Sequence, residues 1–248
     1  MSYISGYEPA LAIARGLITN HSVFHKHGRN VAVGTTAENI STAGDATPYM
    51  PTAAVNVEVV TTGNDTAAGS GARSVTITGL NASWALTSET IATNAGTATS
   101  SGTFIRVFTA MVETSGTYGA ANANDITIRA ATAGTTFLLI AAGAGRALSS
   151  HYCVPSGYSL YIRDIHLSVD TGKSVTFTMY ERSNADDVTV PYSPAIIHSY
   201  YEGWAGEGAI THWPYVKYAA KTDIWVTGVV TSGTASASVA MTGILVIE

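Results

Sequence analysis

Charged residues are scarce in this sequence, making up 12% of its 248 residues, which is about half the usual share for soluble domains. Twelve Lys and Arg stand against seventeen Asp and Glu, so the net charge is −5. Binding to a nucleic-acid backbone needs clustered cations. The sequence contains no basic run of that kind, and we expect no nucleic-acid partner.

Cysteine and long apolar runs are also missing. Cys153 is the only cysteine, which excludes an intrachain disulfide framework and a cysteine-based zinc site; a small buried hydrophobe is the expected role. The stretch ALAIARGLI is too short to span a bilayer and contains Arg15. We therefore expect no signal peptide and no membrane partner, and folding in a reducing cytoplasm.

The sequence contains neither a recognisable phosphate-binding loop nor a recognisable catalytic motif. The glycine-rich stretch from Thr61 to Leu80 leads into an alternating strand pattern instead of a helix, so it is not a phosphate-binding loop. No Gly-x-Ser-x-Gly motif occurs. Asp164 and His166 share one face of a predicted strand, as an orienting acid and a base might, but neighbours on one strand point in parallel, and a solvent-facing pair is the simpler explanation. We expect no catalytic residues and no cofactor; a polysaccharide hydrolase stays open as a third class of function.

The histidines of HSVFHKHG are the clearest candidates for a metal site. His21, His25 and His27 offer three imidazoles, but no carboxylate lies at a spacing that would complete the ligand set. Surface or interface histidines are the favoured interpretation, and we expect no bound metal.

Alternating strand patterns dominate the chain from residue 54 onward. Short strands separated by Gly, Asn, Ser and Thr predict an all-β fold, an antiparallel β-sandwich of jelly-roll-like type. The glycine-rich run from Gly143 to Arg146 is the predicted boundary between a first β-sandwich domain, residues 54–143, and a second, residues 144–248. The side chains predicted to face the cores are Val75, Ile77, Val175, Phe177 and Met179.

Residues 1–53 show no sustained alternation and end in a proline-punctuated stretch, so they are predicted to form an extended N-terminal arm. Its apolar side chains have no strand partner visible in the sequence and would form an unusual exposed patch if left alone. They are therefore the predicted assembly contacts: Leu11, Ile13, Leu17, Ile18, Val23 and Phe24.

Aromatic residues crowd the segment from Tyr192 to Trp225. Tyr and Trp are enriched in protein interfaces and in sugar-stacking sites, because each joins a large apolar body to a polar group. Packing in an interface or core is the favoured interpretation, and a ligand platform is the alternative. The residues concerned are Tyr200, Tyr201, Trp204, Trp213 and Tyr215.

Four segments taken in order, GARSVTITGL, SETI, FIRV and NDITI, resemble a group of small structural proteins from tailed bacteriophages of the marine and cyanobacterial type. The resemblance extends from about Tyr7 to the end of the sequence. It implies that the protein is part of a virion, without fixing its position in the particle. We expect a structural protein without enzymatic activity, assembled in the host cytoplasm. A charge-poor β protein with an arm also suits repeated copies that bury surface against one another.

The leading expectation is a capsid decoration or cement protein that acts as a homo-oligomer. Its partners would be copies of itself and other virion proteins, either the major capsid protein or tail proteins. The alternative is a tail or baseplate component that binds a host-surface glycan through the aromatic segment.

Overall fold

The computed structural model describes residues 8–248 and contains one short helix and sixteen strands in that range. No helix within it is long and apolar enough to cross a membrane. The elements are α1 (Pro9–Ala14), β1 (His21–Val33), β2 (Glu38–Asn39), β3 (Val55–Val60), β4 (Ala72–Leu80), β5 (Leu86–Ala92), β6 (Thr97–Phe104), β7 (Arg106–Ser115), β8 (Ile126–Ala130), β9 (Thr136–Ile140), β10 (Tyr152–Cys153), β11 (Tyr158–Val169), β12 (Val175–Arg182), β13 (Ile196–Trp204), β14 (Glu207–Tyr218), β15 (Asp223–Val229) and β16 (Ala235–Ile247).

The strands at the two ends of the chain form a jelly roll. One sheet has the order β1-β16-β11-β14, and the other has the order β10-β15-β12-β13 with β2 also paired to β15. Together, β2 and β10 count as one strand, so the jelly roll has eight strands. In chain order, the first pairs with the eighth (β1 with β16), the second with the seventh (β2 and β10 with β15), the third with the sixth (β11 with β14) and the fourth with the fifth (β12 with β13). This nested antiparallel pairing over two sheets is the jelly-roll arrangement, so the predicted fold class is confirmed.

A second sandwich is inserted into the second strand of the jelly roll. Asn39 of β2 pairs with Thr227, and Tyr152 of β10 pairs with Ile224 on the same strand β15. Between these pairs, Ile40 donates its N–H to the Val226 carbonyl and Ser150 donates its N–H to the Ile40 carbonyl. The strand therefore leaves the jelly roll after Ile40 and resumes at Ser150, and residues 41–149 lie between these two points.

The inserted sandwich has a four-stranded sheet, β6-β3-β8-β9, and a three-stranded sheet, β5-β4-β7. Its core is separate from the jelly-roll core, yet Leu80, Trp84, Ile105 and Phe108 of the insertion belong to the jelly-roll cluster. Shared apolar packing thus joins the two sandwiches. The five side chains predicted to face cores are all buried, which confirms that prediction.

The predicted arm is wrong for residues 21–33, because β1 is a jelly-roll strand paired with β16 along most of its length. Residues 1–7 lie outside the described range. Hydrophobic alternation is masked in β1 because the inward positions include Lys26, Gly28 and Asn30, all of them buried. Glycine is required at position 28, since a Cβ there would overlap the Ile40 carbonyl and the Ser150 backbone.

The chain returns to the jelly roll at Ser150, beyond the boundary predicted near Gly143. Ala147 still belongs to the core of the inserted sandwich, and Ser41 and Ser149 pair at its neck. The two sandwiches are therefore not consecutive along the chain, because the second one interrupts the first.

A buried ionic cluster lies where the insertion meets the jelly roll. Arg106 donates two hydrogen bonds of 2.8 Å to the Asp223 carboxylate, and it also donates to the carbonyls of Pro51 and Ile105. His151 Nε2 lies 3.2 Å from Asp223 Oδ1. All three residues are buried, so each charge is balanced by direct partners rather than by water.

Candidate interaction surface

The solvent side of the sheet β1-β16-β11-β14, here called the outer face, presents its side chains in rows. Successive residues of a strand point to opposite sides, and the pairing register aligns every second residue of the four strands from the first row to the third. The register shifts before the fourth row, where Arg163 of β11 and residues 212–215 of β14 lie outside the pairing. From one end to the other, the rows are Arg29, Ser238, Ser168 and Glu207; His27, Ala240, His166 and Ala209; His25, Thr242, Asp164 and Thr211; and Val23, Ile244, Tyr161 and Lys217.

One end of the outer face is apolar. Val23 is 59% exposed, and beside it a depression of about 280 Å³ is lined by His21, Tyr161, Tyr215, Ile244 and Val246. The Trp213 ring lies 6.2 Å from the Tyr215 ring and is 84% exposed. Contiguous apolar surface of this kind marks interaction sites on soluble proteins.

The other end of the outer face is polar and carries histidines. Burial lowers the pKa of His27, and His25, Arg146 and Arg29 lower it further by like-charge repulsion. Neutral His27 is therefore favoured near neutral pH. His25 and His27 both project from the solvent side of β1. Among residues 8–248, no three His, Cys, Asp or Glu side chains form a group able to hold a metal ion.

Charges of opposite sign stand at the two ends of the first row. Arg29 lies on the edge strand β1 and Glu207 on the opposite edge strand β14, and both side chains are exposed. Neither forms a salt bridge with another described residue. Sequence reasoning missed this pair, because β1 was not expected to be a strand.

Strands β13 and β14 are adjacent in sequence but belong to different sheets, and each is an edge strand. Only Ala205 and Gly206 separate them. This crossing between sheets decides the positions of the five predicted aromatic residues, which the structure divides into two groups.

Tyr201 and Trp204 are partly buried and pack against the jelly-roll core. Tyr200 is 57% exposed on β13, while Trp213 and Tyr215 lie on the solvent side at the apolar end of the outer face. The aromatic segment is thus neither one core set nor one platform. The alternation that could have separated Trp204 from Trp213 is broken by bulges in β13 and β14.

The six apolar residues predicted as assembly contacts are also divided. Phe24 and Ile13 are buried within this chain, and the Phe24 ring lies 4.8 Å from the Tyr152 ring. They are therefore not exposed contacts, which corrects that part of the prediction. Leu11, Leu17 and Val23 are exposed, and Ile18 is intermediate.

The two tryptophans of this region are expected to respond differently to truncation. Trp204→Ala should lower the free energy of unfolding by about 2–3 kcal/mol, because a partly buried ring that contacts the core is lost. Trp213→Ala should change it by less than about 0.5 kcal/mol, since exposed positions contribute little to stability. Urea denaturation of both variants measures the difference, and equal losses would show that the assignment of the two rings is wrong.

The strand pairing and the outer face define an all-β jelly-roll protein with a second sandwich inserted in one strand. No protein-family model matches the chain, and no curated protein matches it. A chain from the structure of infectious bursal disease virus, Gt strain, is similar with a TM-score of 0.27 and 9% identity, covering 92% of this chain and 73% of that chain. A chain from the VP2 subviral particle of the same virus has a TM-score of 0.17 and 10% identity, covering 92% and 76%. Similarity at this level supports no conclusion about function.

Proposed function

We propose that this protein is a non-enzymatic structural component of a tailed-phage virion, located on the capsid exterior as a homo-oligomer. The apolar end of the outer face is the observation that carries the proposal. Val23 and Trp213 are exposed beside Tyr161, Tyr215 and Ile244, and a surface of this kind is typically covered by a partner.

Three further features support the proposal. The sequence resembles small structural proteins of tailed phages over most of its length. The jelly roll is a fold of viral capsid domains, although lectin domains and cupins share it, so the fold alone does not decide the function. The shared packing between the two sandwiches suits a rigid unit that is repeated many times in a particle.

Quantitative mass spectrometry of purified particles tests the proposal, using the particle that the encoding genome produces. A capsid position predicts on the order of hundreds of copies per particle, because the shell repeats its subunits by symmetry. The absence of the protein from purified particles would overturn the proposal. A count of about a dozen would instead place it in the tail, since tail components follow the lower symmetry of that structure.

The tail or baseplate alternative has its own supporting observation. The exposed Trp213 ring is inclined by 52° to the ring of Tyr215, which lines the 280 Å³ depression. Inclined aromatic rings with nearby polar groups suit stacking against a host-surface glycan. If this alternative holds, Trp213→Ala should abolish binding to host cells while incorporation into particles is unchanged. Under the capsid proposal, the same variant should be incorporated poorly.

A further inference from the structure

The rows of the outer face are complementary to a copy of themselves. A second copy can be generated by a 180° rotation about an axis that lies above the outer face, parallel to the strands and over the gap between β16 and β11. This rotation places the two outer faces against each other and exchanges the edges of the second sheet. Strand β1 of one copy then lies over β14 of the other, and β16 lies over β11, with each row facing the same row of the second copy. The rows used here are those that the pairing register defines.

Charges match across the first row under this rotation. Arg29 of each copy faces Glu207 of the other, so the two exposed charges without a described salt-bridge partner form two symmetric ion pairs. Ser238 and Ser168 lie between them in the same row. Small hydroxyl side chains at the centre allow the two sheets to approach to the roughly 10 Å separation of packed sheets.

Side-chain size matches across the second row. His27 of one copy faces Ala209 of the other, and His166 faces Ala240, so a large ring lies opposite a small side chain at both positions. The third row places Thr242 opposite the Asp164 carboxylate, which can accept a hydrogen bond from the hydroxyl. In the fourth row, Ile244 lies opposite the Tyr161 ring, and Val23 lies opposite Lys217.

The other two-fold arrangement does not share these matches. An axis perpendicular to the strands places β1 over β1, so that the strand carrying His25, His27 and Arg29 faces its own copy. In that arrangement Arg29 of one copy cannot face Glu207 of the other, because the two residues lie on opposite edge strands. The axis parallel to the strands is therefore the favoured arrangement.

We propose that the outer face is the contact between two copies of this chain, packed sheet against sheet, with Arg29 of each copy paired to Glu207 of the other. The inference depends on the self-association included in the proposed function, and not on a position in the particle. The second copy is the occupant that accounts for the charges at the edges and covers Ile244 and Tyr161.

Charge reversal tests this contact. Analytical ultracentrifugation of the full chain should show a concentration-dependent dimer, and Arg29→Glu or Glu207→Arg alone should raise its dissociation constant at least about tenfold, because each places like charges together twice. The double variant exchanges the two charges and should restore the dissociation constant to within about threefold. Glu202→Arg, an identical change on β13 of the other sheet, should leave it unchanged.

Three results would overturn the contact: a wild-type chain that stays monomeric, single reversals without effect, or a double variant that is not restored. Circular dichroism melting of each variant verifies that folding is retained. A wild-type chain that is monomeric in solution yet present in purified particles would overturn this contact while the virion role stands. If the dimer behaves as described but the protein is absent from purified particles, the contact stands and the virion role is overturned.

Discussion

Arg106→Ala is expected to lower the free energy of unfolding by about 3–5 kcal/mol. The substitution leaves Asp223 as a buried carboxylate whose main partner is gone, and an unpaired buried charge is far more costly than the loss of a surface ion pair. It also removes the donor to the Pro51 carbonyl, which adds to the loss. Urea denaturation at pH 7 measures the effect.

Arg129→Ala is the matched control, because it breaks the ion pair of Arg129 with Glu58, whose side chains are 27% and 10% exposed. A partly exposed pair should cost about 1 kcal/mol or less. Equal losses for the two arginine variants would contradict the assigned role of Arg106. A variant that replaces both Arg106 and Asp223 by Leu should lose less than the sum of the two single changes, since no charge is left unpaired.

The cluster also determines how stability depends on acid. Burial alone would raise the pKa of Asp223, but hydrogen bonds from Arg106 and His151 hold it well below its usual value of 3.8. The unfolded chain therefore binds the proton more readily, and the contribution of Asp223 is present above pH 3.8 and lost as the pH falls further. The stability difference between wild type and Arg106→Ala should shrink over the same range.

Lys26→Met is expected to raise the free energy of unfolding by roughly 2–4 kcal/mol at pH 7. Burial, together with the nearby charge of Arg146, lowers the pKa of Lys26 to about 7 from 10.5. One pKa unit corresponds to about 1.4 kcal/mol, and the gain is partly offset because the Phe108 carbonyl loses the donor that Lys26 provides. Methionine keeps the apolar length of the side chain.

The pH dependence distinguishes this effect from improved packing alone. Between pH 7 and 10.5 the unfolded chain holds the Lys26 proton while the folded chain has released it, so wild-type stability should rise with pH across this window. The Lys26→Met variant should lack that rise, and Lys217→Met, at an exposed lysine, should show no comparable gain. A destabilised Lys26→Met variant whose pH dependence matches wild type would refute this account of Lys26.

Strands with apolar residues on one side could be predicted from the sequence. In β4, Val75 and Ile77 alternate with threonines, and in β12 Phe177 and Met179 do the same. Strand β1 could not, because its inward Lys26 is made tolerable by burial in the neutral form and by the Phe108 carbonyl, which lies in a distant part of the chain. The alternation of apolar and polar residues along a strand gives no indication of such a contact.

The connection between the two sandwiches also could not be predicted from local sequence patterns. Ile40 and Ser150 are neighbours in one edge of the jelly roll, yet more than a hundred residues separate them in sequence. A pattern-based division therefore makes the two sandwiches consecutive. Arg106 within the apolar segment FIRVF was the one available signal of a buried partner, but its partner Asp223 depends on the tertiary fold.

The division of the aromatic residues and the composition of the outer face could not be predicted from local sequence patterns either. Trp204 and Trp213 lie in the same aromatic segment, and the crossing from β13 to β14, together with a bulge in each strand, places one toward the core and the other toward solvent. The pairing of Arg29 with Glu207 at opposite ends of one row likewise requires the register of four strands.

A cryo-EM map of the particle tests the central claim, that this chain is a repeated structural unit of a virion, most directly. The account predicts two-sandwich density at symmetry-related positions on the capsid exterior, with the outer faces of neighbouring copies packed against each other. A map of the complete particle in which no density fits the jelly roll with its inserted sandwich would contradict it.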